Sequence, residues 1–413
     1  MVVLSNNDGC AIARSEQAKA MGIKMGQPWF EIRGLRERGL VALSANFALY
    51  GDMSDRMMSI AAGLGPEQEI YSIDECFVGL ENMPGDLLDR ARRVRERIWR
   101  WTGLPTCVGI GQTKTLAKLA NHIAKAARRK PGSYPVELAG VCDLSACDDA
   151  RRQALLAQTP VGEVWGIGRR LGPALQTAGA DTAAAFLELP ESLVRARWGV
   201  TLARTWRELQ GDSCLGLEEV APSKREIACT RSFGAPVMEP APLREAIGTF
   251  VARAARTLRQ QAGIAGGIMV FIRTSPFRPG PQYSRGAVLG LPQPTDDTAT
   301  LIRAAMTVFQ SLYRPGYAYM KAGVMLVELA EAANRQGTLD WGGEDGPATA
   351  LLPETREGLM PVVDALNVRF GSGTVQWAAS GSPQRPAPWA MRQTLRTPAY
   401  TTRWEDLPSA WAG

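Results

Sequence analysis

The chain has 413 residues, 47 Lys and Arg against 41 Asp and Glu, a formal charge of +6 and 45% hydrophobic residues. That length holds several domains at roughly 100–200 residues each, each with a core of its own. No apolar run approaches the about eighteen residues a membrane helix needs, and MVVLSNND is too short and too uncharged for a secretory leader, so a soluble cytoplasmic protein is expected. Seven cysteines form no C-x-x-C pair and His122 is the single histidine, which leaves little material for zinc and suggests reduced thiols.

MVVLS has the pattern of a strand that ends at an Asn-Asn-Asp-Gly turn, and IARSEQAKAMG that of a short helix closed by Gly22. In EIYSIDECFVGL, residues 69–80, period-two alternation sends Tyr71, Ile73, Glu75 and Phe77 to one face and Ile70, Ser72, Asp74 and Cys76 to the other. Burying an unpaired carboxylate costs several kcal/mol, so Asp74 and Glu75 need either a nearby cation or a hairpin break that brings both to the surface. Adjacent acids at a hairpin tip can hold divalent metal over a phosphate, since magnesium takes one or two carboxylates and keeps its other positions for water and phosphate oxygen. A solvated acid pair is the plainer alternative, and the segment alone leaves both open.

Further on, LLDRARRVRERIWRWTG forms an amphipathic helix pattern, PTCVGIGQ a strand and TKTLAKLANHIAKAARRK a basic helix, which makes one mixed α/β unit up to about Lys130. Residues 144–211 are helical with small-residue turns, and LEEVAPSK is a linker. Strands at 225–233, 267–274, 282–289 and 322–329, with helices near 242–261 and 297–313, give the order β-α-β-β-α-β. After Glu331 the chain is rich in Gly, Pro and Trp, and SGSPQRPAPW offers no periodic pattern, which suggests a small or loosely ordered tail domain.

Three basic features point toward nucleic acid. Lys114, Lys118, Lys125 and Arg129 share one helical face in a span without acidic residues. In WGIGRRLG, Gly166 and Gly168 form a tight turn opening a helix, with Arg169 and Arg170 beside it, so that backbone N–H groups can meet a phosphate. Arg225, Arg231, Arg273, Arg278, Arg285 and Lys321 lie on or near the strands of the later module. An ordinary solvated helix, a plain interhelical turn and scattered surface arginines are the alternatives.

The segments VVLSNNDGC, AKAMGIKMG, YSIDE, VGIGQTKTLAKLANH, VWGIGRR, LEEVAPSK, RSFG, RTSPF, KAGVML and YTTRW, in this order and nearly end to end, resemble the Y-family translesion DNA polymerases of the UmuC type. The resemblance implies an α+β multidomain right hand: fingers at 1–45, palm at 46–135, helix-hairpin-helix thumb at 144–211, little finger at 223–329 and a C-terminal tail at 330–413. It also implies error-prone synthesis in the SOS DNA-damage response with two Mg2+ ions, Asp74 ligating metal and Glu75 helping to activate the primer hydroxyl. Lys19 falls where the family contacts the incoming triphosphate, although Glu16 replaces the aromatic residue often found three positions earlier. Further implied partners are primer-template DNA, deoxynucleoside triphosphates, a UmuD-prime dimer, RecA and the sliding clamp, with QGTLDW (Gln336, Leu339, Trp341) similar to a clamp-binding peptide.

In the family a strand with a third metal-ligating Asp and an aromatic gate precedes the segment that begins here at Met1. Asp8, at the far end of its own strand, does not replace that Asp. The resemblance therefore implies an upstream start or a truncated gene, an open sheet edge beside MVVLS, and a 413-residue chain that binds primer-template DNA without extending it. A catalytically impaired, DNA-binding accessory protein is the alternative function.

Overall fold

The computed structural model describes residues 1–218, 222–334, 358–381, 387 and 389–409. The proposed clamp peptide, Gln336, Leu339 and Trp341, lies outside them. Two units divide the chain, Met1–Asn46 with Pro222–Pro398 and Phe47–Ala221 with Ala399–Gly413. All seven cysteines are free thiols, and among the described residues no helix is long and apolar enough to cross a membrane.

The first unit opens with β1 (Val2–Leu4), β2 (Ala11–Arg14), α1 (Glu16–Ala20), α2 (Trp29–Ile32) and β3 (Ala42–Ser44). β1 is central, antiparallel to β2 and parallel to β3, and Val2 and Leu4 are fully buried against Ala11, Ile23, Ile32 and Leu40. Two expectations change here. Ala11–Arg14 is strand rather than helix, because Ser15 caps α1 by accepting from the Ala18 N–H and so fixes where the helix begins. The edge beside MVVLS is also not open, since β1 is paired on both sides.

The second unit runs α3 (Phe47–Ala61), β4 (Glu67–Ile70), β5 (Cys76–Gly79), α4 (Leu87–Thr102), β6 (Val108–Ile110), α5 (Lys114–Arg129) and β7 (Val141–Asp143). β4 and β5 form an antiparallel hairpin that breaks over Tyr71–Glu75, as the misplaced carboxylates require, while β6 and β7 pair in parallel. Met58, Leu64, Val94, Ile98 and Ile110 join these elements in one core. Next come α6 (Asp149–Gln158), α7 (Leu171–Thr177), α8 (Ala183–Glu188), α9 (Glu191–Trp198) and α10 (Val200–Gln210). Their apolar faces, with Leu175, Phe186 and Leu202, close over the buried stripe of α5 formed by Leu116, Leu119 and Ile123.

In the first unit the chain continues as β8 (Ile227–Val237), α11 (Pro240–Gln260), β9 (Gly263–Thr274), β10 (Ser284–Thr295), α12 (Thr298–Leu312) and β11 (Tyr319–Glu331). This is the expected β-α-β-β-α-β module, an antiparallel sheet in the order β10-β9-β11-β8. Both helices cover one face, where Phe250, Leu258, Leu301 and Phe309 bury Val270, Ile272, Val324 and Leu326. The tail adds a helix the sequence did not announce, α13 (Leu359–Phe370). Its Leu359, Val362, Leu366 and Phe370 recur at helical spacing but remain exposed, while Met360 is buried.

The tail is fastened to α11. Arg259 donates twice to the Asp364 carboxylate, at 2.6 and 3.0 Å, Thr249 Oγ1 donates to the Ser380 carbonyl at 3.1 Å, and Trp389 meets Phe250 edge-on at 5.5 Å between centroids. Between these contacts the Ala379 backbone rests on Gly248, where an added Cβ would lie 2.3 Å from the Ala379 carbonyl oxygen. Alanine normally stabilises a helix over glycine by about 1 kcal/mol. Gly248→Ala is expected to reverse that sign and destabilise the protein by about 1–3 kcal/mol in denaturant titration. A gain in stability would show that the tail does not rest on α11.

Candidate functional site

Asp74 and Glu75 occupy the turn between β4 and β5. The Tyr71 and Ser72 N–H groups donate to the Glu75 carbonyl, at 3.1 and 3.0 Å, and close the loop. The Ser72 hydroxyl donates to Asp74 Oδ1 at 2.6 Å while Asp74 itself stays exposed. Glu75 turns the other way and accepts from Lys118 Nζ at 2.6 Å. That ammonium lies over the rings of Tyr71, Trp165 and Phe77, at 4.7, 5.7 and 5.8 Å, so three π faces and one carboxylate surround it. One turn earlier, Lys114 pairs with Glu69 and lies 5.1 Å from the Phe77 ring centre.

The position of α5 makes these pairings possible. Thr113 caps the helix, accepting from the Leu116 N–H, and its hydroxyl donates to the Glu208 carbonyl at 2.7 Å. At Gly109 in β6 a Cβ would fall 2.1 Å from the Asn121 nitrogen, and at Gly111 it would fall 2.6 Å from the Ala117 nitrogen. Only glycine lets the helix backbone come this close. The Glu208 side chain, fully buried, accepts from Thr115 N at 3.0 Å, Cys214 N at 2.6 Å and Leu215 N at 3.0 Å. An apolar cavity of about 170 Å3, lined by residues of β5, β6, α4 and α5, reaches Asp74, Glu75 and Lys118. Among the described residues no group of three or more His, Cys, Asp or Glu converges to hold a metal.

The basic features separate on inspection. Lys114 and Lys118 are only 10% and 16% exposed and are neutralised by Glu69 and Glu75, so they do not belong to a free phosphate-facing stripe. The expectation failed because the neutralising acids come from the hairpin rather than from i±4. Lys125 and Arg129 are exposed. Gly166 takes a left-handed φ of 89°, Ile167 is buried, and Gly168, Arg169 and Arg170 stand exposed at the start of α7. In the sheet, Arg273 and Lys321 are cross-strand partners on the face without helices. Burial first, and then the Arg273 charge, holds the Lys321 ammonium below its usual pKa. Arg231 lies opposite the buried Ala322 and therefore on the other face, as does Arg285 opposite Ile272, so the sheet does not present Arg231 together with Arg273.

Lys19 Nζ pairs with Glu16 at 2.7 Å, the residue already noted as unusual there. Asp8 accepts from Ser44 Oγ at 2.6 Å and from the Thr394 N–H at 3.1 Å, a structural role. Sequence reasoning missed Glu69, Tyr71, Trp165 and Glu208 as parts of the site. Trp165 stood inside the quoted WGIGRR motif, but nothing local to it or to Glu208 names a partner far away in the chain. Glu208→Gln leaves an amide NH2 facing buried N–H donors, at about 1–3 kcal/mol for each one unpaired. The midpoint of thermal unfolding is expected to fall, and an unchanged midpoint would remove Glu208 as the anchor of α5.

Residues 1–122 match the impB/mucB/samB family, residues 224–339 its C-terminal domain, and residues 357–410 a domain of unknown function, DUF4113. The chain is 42% identical to Protein UmuC of Salmonella typhimurium over 98% of this chain and 93% of that protein. It is 39% identical to Protein MucB of Escherichia coli over 99% of this chain and 93% of that protein. Among solved structures, a Y-family DNA polymerase chimera is similar in fold, with a TM-score of 0.58 at 18% identity over 80% of this chain and 92% of that one. On this full-length identity, the chain belongs to the impB/mucB/samB family of Y-family polymerases and is by family a DNA-directed DNA polymerase.

Proposed function

We propose that the protein performs error-prone nucleotidyl transfer opposite damaged template bases in the SOS response, with Asp74 and Glu75 at the reacting end of the primer. The observation that carries this reading is the hairpin tip, where Asp74 is exposed and fixed by Ser72 while Glu75 is fixed by Lys118. These two carboxylates fit magnesium, which takes one or two of them and fills its other positions with water and phosphate oxygens. Bound there, magnesium would offset the negative charge of the triphosphate and make the primer hydroxyl easier to deprotonate. Lys118 orients Glu75, and the aromatic rings around Lys118 keep that ammonium from swinging into solvent.

For DNA, the reading uses the exposed Lys125 and Arg129, the Gly168–Arg170 turn and the Arg273–Lys321 pair on the uncovered sheet face. These groups fit a phosphate backbone, whose binding is salt-dependent. On family grounds a UmuD-prime dimer, RecA and the sliding clamp are proposed partners, deoxynucleoside triphosphates the substrates and the cytoplasm the location. Asp74→Asn tests the proposal through two readouts. Mn2+ affinity in the presence of primer-template and nucleotide, followed by electron paramagnetic resonance, is expected to fall at least about tenfold, and primer extension, which this reading assigns to the chain in place of the binding without extension expected from its sequence, is expected to drop to background. Affinity for the duplex should stay within a few-fold. Unchanged Mn2+ affinity, or near-normal extension by the variant, would contradict the assignment.

A further inference from the structure

On the helical side of the four-stranded sheet, α11 and the tail enclose a cavity of about 340 Å3, the size of a small ligand site. Arg253 and Arg256 enter it from α11. Neither forms an ion pair among the described residues; the hydrogen bond of the Arg256 guanidinium is to Ser372 Oγ, at 3.3 Å. Arg259, by contrast, is committed to Asp364. Val363, Val375 and Trp377 add apolar lining, beside the polar Asp364, Asn367 and Gln376. Trp389, 9% exposed, also lines the cavity, and its indole N–H, like the Ser380 hydroxyl, is buried without a partner among the described residues.

We propose that this cavity is a docking site for an acidic, apolar peptide segment of another protein. A carboxylate of the peptide accepts from Arg253 and Arg256, and an aliphatic side chain covers Trp377, Val363 and Val375. Two observations set a nucleic acid aside. The cavity opens on the helix-covered side of the sheet, away from Arg273 and Lys321. It also contains the Glu245 carboxylate, close enough to the Gly381 backbone that a Cβ there would lie 2.2 Å from Glu245 Oε1. That carboxylate can accept a peptide N–H, a donor that a phosphate backbone does not offer. The inference does not depend on the polymerase reading, since none of these residues serves that site.

The test titrates the full chain into a fluorescein-labelled octapeptide of alternating aspartate and leucine, followed by anisotropy. Saturable binding is expected, weakened at least about tenfold by Arg253→Glu with Arg256→Glu. Trp377→Ala, which removes the ring from the apolar lining, should weaken it about threefold while circular dichroism is unchanged. Unlabelled oligothymidylate should not displace the peptide. Absence of binding, equal binding by both variants, equal binding of a lysine and leucine peptide, or displacement by oligothymidylate would each overturn the proposal, the last by giving the site to nucleic acid.

Discussion

The backbone of α5 lies so close to β6 that no side chain fits between them at Gly109 or Gly111. Everything at the hairpin follows from that seat. A helix displaced outward by one methyl at each point would carry Lys114 and Lys118 away from Glu69 and Glu75, and the aromatic surroundings of Lys118 would open. The N-terminus of α5 is fixed independently by the Thr113 hydroxyl and the buried Glu208 carboxylate, so the helix is held along its length and at its end.

With the helix fixed, the two adjacent acids take different positions from one turn. Asp74 is exposed with only a neighbouring serine on it, free to meet a ligand from solvent. Glu75 is half-buried and paired with a lysine that three rings surround. A partly desolvated cation over aromatic faces gains about 0.5–2 kcal/mol, enough to make its position a stable feature of the site. This asymmetry suits a site in which one carboxylate binds and the other is oriented.

The hairpin break was legible because a carboxylate on an apolar strand face contradicts period-two burial, and the chain resolves that contradiction by turning at Asp74 and Glu75. The later module was legible for the opposite reason: its strands and helices are long and regular, and their periods survive in the packed sheet. Less could be read where the answer lies across space. The lysines of α5 looked like one free stripe because their acids sit some forty residues upstream, as in the pair Lys118 and Glu75. Arg231 and Arg273 looked equivalent until strand register put them on opposite faces. α13 was overlooked although Leu359, Val362, Leu366 and Phe370 keep helical spacing, because Gly- and Pro-rich chain flanks it, and its attachment depends across space on Arg259 meeting Asp364 and on a bare backbone at Gly248.

α5 holds the hairpin carboxylates in place through the ion pair between Lys118 and Glu75. A double-mutant cycle measures that directly, with Lys118→Met, Glu75→Gln and the pair compared in urea denaturation. A partly buried, charge-assisted hydrogen bond should give a coupling of at least about 1 kcal/mol. A coupling within about 0.3 kcal/mol of zero would contradict the account, because the hairpin would then hold its shape without the helix.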